Sequence, residues 1–209
     1  MNILLIGSEG SMGKRYQAVL KYLGKSFTCV DAIDSEDYIV KLAGEASGII
    51  IATPTETHVY YLSLLAPRTK APILCEKPIC KDIDDLKFLI ADLKAHGTNL
   101  TMMMQYKFLD FSQMLGIEGP SHYDYFRTGK DGLYWDTFQT IALARGPVVV
   151  RNESPIWDVK LNGRQINFSD MDNAYITAVH EWLQNPGDDL DQLLEMHIKV
   201  KKHELEYGP

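Results

Sequence analysis

The chain has 209 residues, 45% of them hydrophobic and 23% charged, with 28 acidic against 21 basic side chains and a formal net charge of −7. This composition supports a packed core and excludes a disordered chain, and the acidic balance argues against nucleic acid or an anionic membrane as main partner. No apolar run approaches the ~18 residues of a membrane helix, and the opening run enters a glycine loop instead of a cleavage site, so a cytoplasmic protein is expected. Cys29, Cys75 and Cys80 are odd in number and lack metal-site spacing. They are expected as reduced, buried or semi-buried thiols, and no metal site is expected.

Residues 2–6 form a short leucine and isoleucine strand, 12–23 carry apolar residues at helical spacing, and 27–30 return to strand character, which together make a βαβ unit. Residues 47–52 have the continuous hydrophobicity of a strand buried on both faces, as 73–75 do more briefly. Residues 82–96 place Ile83, Leu86, Leu89, Ile90 and Leu93 on one stripe, with Gly97 as a stop. Residues 99–104 read as a fifth strand. A helix in each interval gives a doubly wound parallel α/β sheet.

Three chemically distinct loops follow three of these strands, and in such a sheet ligands bind outside the carboxyl ends of the strands. The first is Gly7-Ser-Glu-Gly10-Ser-Met-Gly13. Gly7 lets the chain turn, Gly10 lets backbone N–H groups approach a pyrophosphate, and Gly13 lets the helix pack on the sheet, with the helix N-terminus facing the phosphates. The spacing is one residue longer than the common G-x-G-x-x-G. Asp31 follows 18 residues after Gly13, where a carboxylate can bind both ribose hydroxyls of an adenosine and repel a 2′-phosphate, so NAD is favoured over NADP. Lys14 and Arg15 are placed on the solvent face of the first helix. The second loop runs from Ala52 to His58, with Thr55 expected as the N-cap of a helix beginning near Glu56. The third is Glu76-Lys77-Pro78.

Glycine loop, Thr53-Pro54 with His58, then Glu76-Lys77-Pro78, in that order, resembles the Gfo/Idh/MocA oxidoreductases, the sugar and inositol dehydrogenases that include glucose/fructose oxidoreductase. The likeness covers residues 1–110 well and the rest in fragments. It implies a Rossmann domain whose cofactor contacts are Gly7, Gly10, Ser11, Met12, Gly13, Asp31, Thr53, Pro54, His58 and Glu76. Thr53 and Pro54 would pass beneath the nicotinamide and its ribose. His58 would either touch the cofactor or hold the loop, and Glu76 would anchor its own loop. Lys77 would point into the substrate pocket, its peptide bond to Pro78 often cis, there to bond to or accept the proton of a substrate hydroxyl while hydride leaves the same carbon.

Gln105-Tyr-Lys-Phe108 resembles the turn into the family's substrate domain, and Gly132-Leu-Tyr-Trp-Asp136 the start of its active-site helix, where many relatives carry a histidine four residues after the aspartate. Here that position is Thr140. The catalytic candidates are therefore Lys77, Asp136 and Tyr134. Residues 122–127, 147–151, 156–161 and 165–168 read as strands of a small, mostly antiparallel sheet with a hairpin signal at Asn162-Gly163, followed by helices over 170–184 and 189–202. His180 reads as an ordinary packed or surface helix histidine. The expected organisation is a dinucleotide-binding Rossmann domain over 1–108 and a shortened α+β substrate and oligomerisation domain over 109–209, assembled as a homo-oligomer. The expected activity is NAD(P)-dependent hydride transfer at a secondary carbinol carbon of a small polyhydroxylated substrate such as a sugar, cyclitol or nucleotide-sugar. The alternative is a dinucleotide-binding sensor or assembly subunit that has lost turnover along with the histidine.

Overall fold

The computed structural model describes residues 2–109, 121–125, 138–139, 141–143, 148–151, 159–161, 164–165 and 169–207. Its first half alternates as read: β1 (Asn2–Ile6), α1 (Ser11–Tyr22), β2 (Ser26–Val30), α2 (Glu36–Glu45), β3 (Gly48–Ile51), α3 (His58–Leu65), β4 (Ile73–Cys75), α4 (Ile83–His96) and β5 (Leu100–Met102). All five strands are parallel, in the order β2-β1-β3-β4-β5. β1 feeds β2 on one side and neighbours β3 on the other, so the strand order reverses between β1 and β3, the place where such sheets bind ligands. This is the doubly wound Rossmann-type sheet that the alternation of strands and helices implies. Ile49, Ile50 and Ile51 are fully buried, as a central parallel strand requires.

Local chemistry explains the helix ends. Asp82 accepts from the backbone N–H groups of Asp84 and Asp85 at 2.8 and 3.0 Å, which caps α4, and Gly97 ends it at φ +64°. α3 departs from expectation. Thr55 does not cap it: Thr55–Thr57 is a 3-10 turn with Thr55 buried, and α3 proper begins at His58. The threonine hydroxyl that organises this turn is that of Thr57, which donates to Pro54 O at 2.7 Å and lies 2.8 Å from Thr53 Oγ1.

Two more helices, α5 (Ser169–Gln184) and α6 (Leu190–Tyr207), close the chain, α6 running five residues beyond the expected 202. The chain divides into two compact units, Met1–Met103 with Ala178–Leu194, and Met104–Thr177 with Glu195–Pro209. In the first unit the segment between α5 and α6 covers the outer edge of β5. Asp189 N–H donates to Leu100 O at 2.8 Å, Asp189 Oδ2 accepts from Met102 N–H at 2.9 Å, and Thr101 Oγ1 donates to Gly187 O at 2.7 Å. An edge that would otherwise expose unpaired backbone groups is thereby closed. Trp182 of α5 lies over the start of β3, where a Cβ on Gly48 would meet its ring at 2.9 Å.

The second unit holds β6 (Ser121–Tyr125), β7 (Val148–Arg151), β8 (Val159–Leu161) and β9 (Arg164–Gln165) in the order β7-β6-β8-β9. The β6–β8 and β8–β9 pairings are antiparallel and β6–β7 is parallel. Asn162-Gly163 lies outside the described residues. Phe138 and His197 pack edge to face in this unit, their ring centroids 4.8 Å apart. No helix among the described residues is long and apolar enough to cross a membrane. Cys75 and Cys80 are buried, whereas Cys29 is exposed on β2, contrary to expectation, because β2 is the edge strand of its sheet. Burial pushes all three thiols up, which keeps them protonated and poor nucleophiles near neutral pH.

Candidate functional site

The three loops gather at the carboxyl edge of the parallel sheet, within the first unit. Gly7 sits at φ +86°, and a Cβ there would meet Thr53 Cγ2 and Thr53 N at 2.8 Å, so the first loop lies directly against the second. A Cβ on Gly13 would stand 2.1 Å from Gly7 O and 2.6 Å from Ser8 O, so α1 approaches the turn too closely for any side chain. Gly10 differs. It has an ordinary φ of −67°, and a Cβ there would meet nothing closer than 3.6 Å. The protein's own packing requires glycine at Gly7 and Gly13 but not at Gly10, where the benefit of a bare backbone falls to whatever approaches the loop from outside. Ser11 is exposed and Met12 half-buried, and both open α1 just beyond it.

Asp31 ends β2 beside this loop. Its Oδ2 accepts from Glu9 N–H and its Oδ1 from Ala32 N–H, each at 2.8 Å, and its own N–H donates to Asp34 Oδ2. Glu9 lies in the stretch that makes the loop one residue longer than usual, and the carboxylate ties that stretch to the strand end. A carboxylate offers about four acceptor sites, so two stay open for a diol after these bonds.

At the end of β4, Glu76 is 5% exposed. Its Oε1 accepts from the hydroxyl of Tyr16 on α1 at 2.8 Å, and its Oε2 from Lys77 N–H at 3.2 Å. Glu76 thus anchors the third loop, and it does so to the helix that opens from the first. The Lys77–Pro78 bond is cis. Lys77 is half-buried, Pro78 buried. His58 bridges the second and third loops through both ring nitrogens, 2.9 Å from Thr53 O and 2.9 Å from Pro78 O. Pro54 borders the same turn. Tyr134, Asp136 and Thr140 lie outside the described residues, although Phe138, Gln139 and 141–143 are helical.

Sequence reasoning missed Tyr16. Its place on the apolar stripe of α1 makes it read as core, and it is fully buried, but a buried phenol needs a partner and Glu76 supplies one. The signal was a tyrosine, instead of a phenylalanine, at a core position.

Fold and loops together define a Rossmann-type domain, with a glycine loop, an acidic strand end and a lysine loop on one edge. Residues 25–104 match the model of the Gfo/Idh/MocA group, described as an oxidoreductase family with an NAD-binding Rossmann fold, so that segment is similar to the Gfo/Idh/MocA proteins. No curated protein matches it by sequence. Among solved structures, the WlbA (WbpB) dehydrogenase of Thermus thermophilus, in complex with NAD and UDP-GlcNAcA, has a TM-score of 0.73 at 14% identity, over 100% of this chain and 95% of its own. A putative myo-inositol dehydrogenase of Sinorhizobium meliloti 1021 reaches 0.76 at 12% identity, over 99% and 98% of the two chains. The scyllo-inositol dehydrogenase of Lactobacillus casei, with bound NAD(H) and scyllo-inositol, reaches 0.70 at 12% identity, over 99% and 96%. Likenesses of this identity speak for a shared fold.

Proposed function

We propose that the protein binds NAD(H) and transfers hydride to or from the secondary carbinol carbon of a small polyhydroxylated molecule, a sugar, cyclitol or nucleotide-sugar. The observation that carries this reading is Gly10: its bare backbone serves no packing need of the chain, yet it stands between two glycines that the fold does require. That open stretch, with the start of α1 behind it, fits a pyrophosphate. Gly7, Gly10, Ser11, Met12 and Gly13 would hold the phosphates, Asp31 the adenosine ribose, and Thr53 and Pro54 the floor under the nicotinamide ribose. The cofactor's contribution is to accept or return the hydride.

Lys77 carries the proton chemistry. On oxidation the substrate hydroxyl gives its proton to the lysine as the carbon loses hydride, leaving a ketone; on reduction the same group returns the proton. Asp136 and Tyr134 orient the substrate hydroxyls, and Thr140 stands where many relatives have histidine. The neighbours support the substrate class, since two of those named above were solved with a nucleotide-sugar or an inositol in place. The part of residues 109–209 outside Ala178–Leu194, which packs in the first unit, is read as the reduced domain that supplies the substrate side and the oligomer contact.

The test is a screen of sugars, cyclitols and nucleotide-sugars for a change in NADH absorbance, followed by Lys77→Ala on the best substrate. We expect kcat and kcat/KM to fall together by roughly a hundredfold or more while the NADH dissociation constant stays nearly unchanged. Full turnover by Lys77→Ala overturns the mechanism. NADH binding without any substrate favours the sensor or assembly reading.

A further inference from the structure

His58 is 1% exposed, at the first residue of α3, and both of its ring nitrogens face main-chain carbonyl oxygens. A ring engaged on both sides by the protein has no polar edge left to offer a ligand. What it joins is specific: Thr53 O belongs to the second loop and Pro78 O directly follows Lys77. From the other side, Glu76 holds Lys77 N–H and is itself held by Tyr16 of α1. Lys77 is therefore fixed at its own N–H toward the helix of the first loop, and one residue later toward the second.

We infer that His58 is a positioning residue, acting on Lys77 and the nicotinamide floor through the carbonyls of Pro78 and Thr53 and not by contact with cofactor or substrate. This rests on the dinucleotide reading above and deepens it. Carbonyl oxygens only accept, so a neutral imidazole, with one N–H, satisfies one of the two, and the imidazolium satisfies both. Burial pushes the imidazole's pKa below its ordinary value, opposed by the two carbonyls and by the carboxylates of Glu76 and Glu56. Because burial wins, this seat favours the neutral ring: the arrangement is at full strength above the titration and is weakened as the pH falls through it, although the charged ring gains a second donor.

The experiment titrates NADH by fluorescence between about pH 5 and 8 on native protein, His58→Gln and His58→Ala, alongside long-range 1H–15N spectra of the native ring. Native protein is expected to bind NADH several-fold more weakly on the acid side of the His58 titration seen in the spectra, because the seated loops disfavour the charged ring. His58→Gln, which keeps one donor, should match native affinity at alkaline pH and show no such dependence. His58→Ala should bind about tenfold more weakly than native at alkaline pH, the scale of one buried hydrogen bond. Should His58→Ala fail to fold, the native and His58→Gln profiles decide. Equal, pH-independent affinity in native and variants overturns the positioning role alone. A ring whose N–H protons exchange freely with solvent overturns the bridge. Native protein that binds no NADH at any pH overturns the dinucleotide reading, and the role with it.

Discussion

Asp31 has two roles to separate. Its carboxylate ties down the stretch around Glu9 and, on the proposed reading, also meets the adenosine ribose. Asparagine keeps one oxygen to accept the Glu9 N–H but removes the charge, whereas alanine removes both. Native protein should bind NADH more tightly than NADPH; Asp31→Asn should narrow that preference by about tenfold, the scale of one charged hydrogen bond. Asp31→Ala should in addition weaken NADH, because the loop loses its tether. Parallel titrations of both cofactors check this, and native protein that prefers NADPH would sink the claim. Residue types were legible from the sequence at this scale, but partners were not. The sequence marks Glu76 as an anchor but not its partner Tyr16, which lies 60 positions away.

Elements whose ends are written in local chemistry are legible in the sequence to within a residue or two, and α4 is the clearest, with Asp82 before it and Gly97 after it. Asp82→Ala leaves the N–H groups of Asp84 and Asp85 without their side-chain acceptor at an exposed helix end. It should lower stability by about 1 kcal/mol, measured by urea denaturation, with NADH affinity unchanged. A loss near zero would mean that water replaces the cap at no cost. The start of α3 departs from the sequence expectation for a related reason. Thr53, Thr55 and Thr57 each offer a hydroxyl, and propensity cannot choose which one turns toward the loop; the chain buries Thr55 and lets Thr57 bond back to Pro54.

For the whole molecule, the question is how so short a second half stays folded. Small layers of secondary structure bury a smaller share of their surface than large ones and gain most from a partner. We expect a homo-oligomer covering a face of the four-stranded sheet, read by light scattering at micromolar concentration; a clean monomer would count against it.

By itself the sequence determined the five parallel strands, the helices between them and the three loops on one edge. Those features depend on periodicity and on glycine, proline and carboxylate chemistry acting within a few residues. Only the tertiary structure decided what the loops hold on to. The imidazole between Thr53 and Pro78, the Tyr16–Glu76 bond, the closure of β5 by Asp189 and the seat of Trp182 on Gly48 all join positions far apart in the chain. Each turns on whether two groups distant in sequence meet in the folded chain. No local pattern encodes that meeting, because it depends on the packing of every element that lies between them.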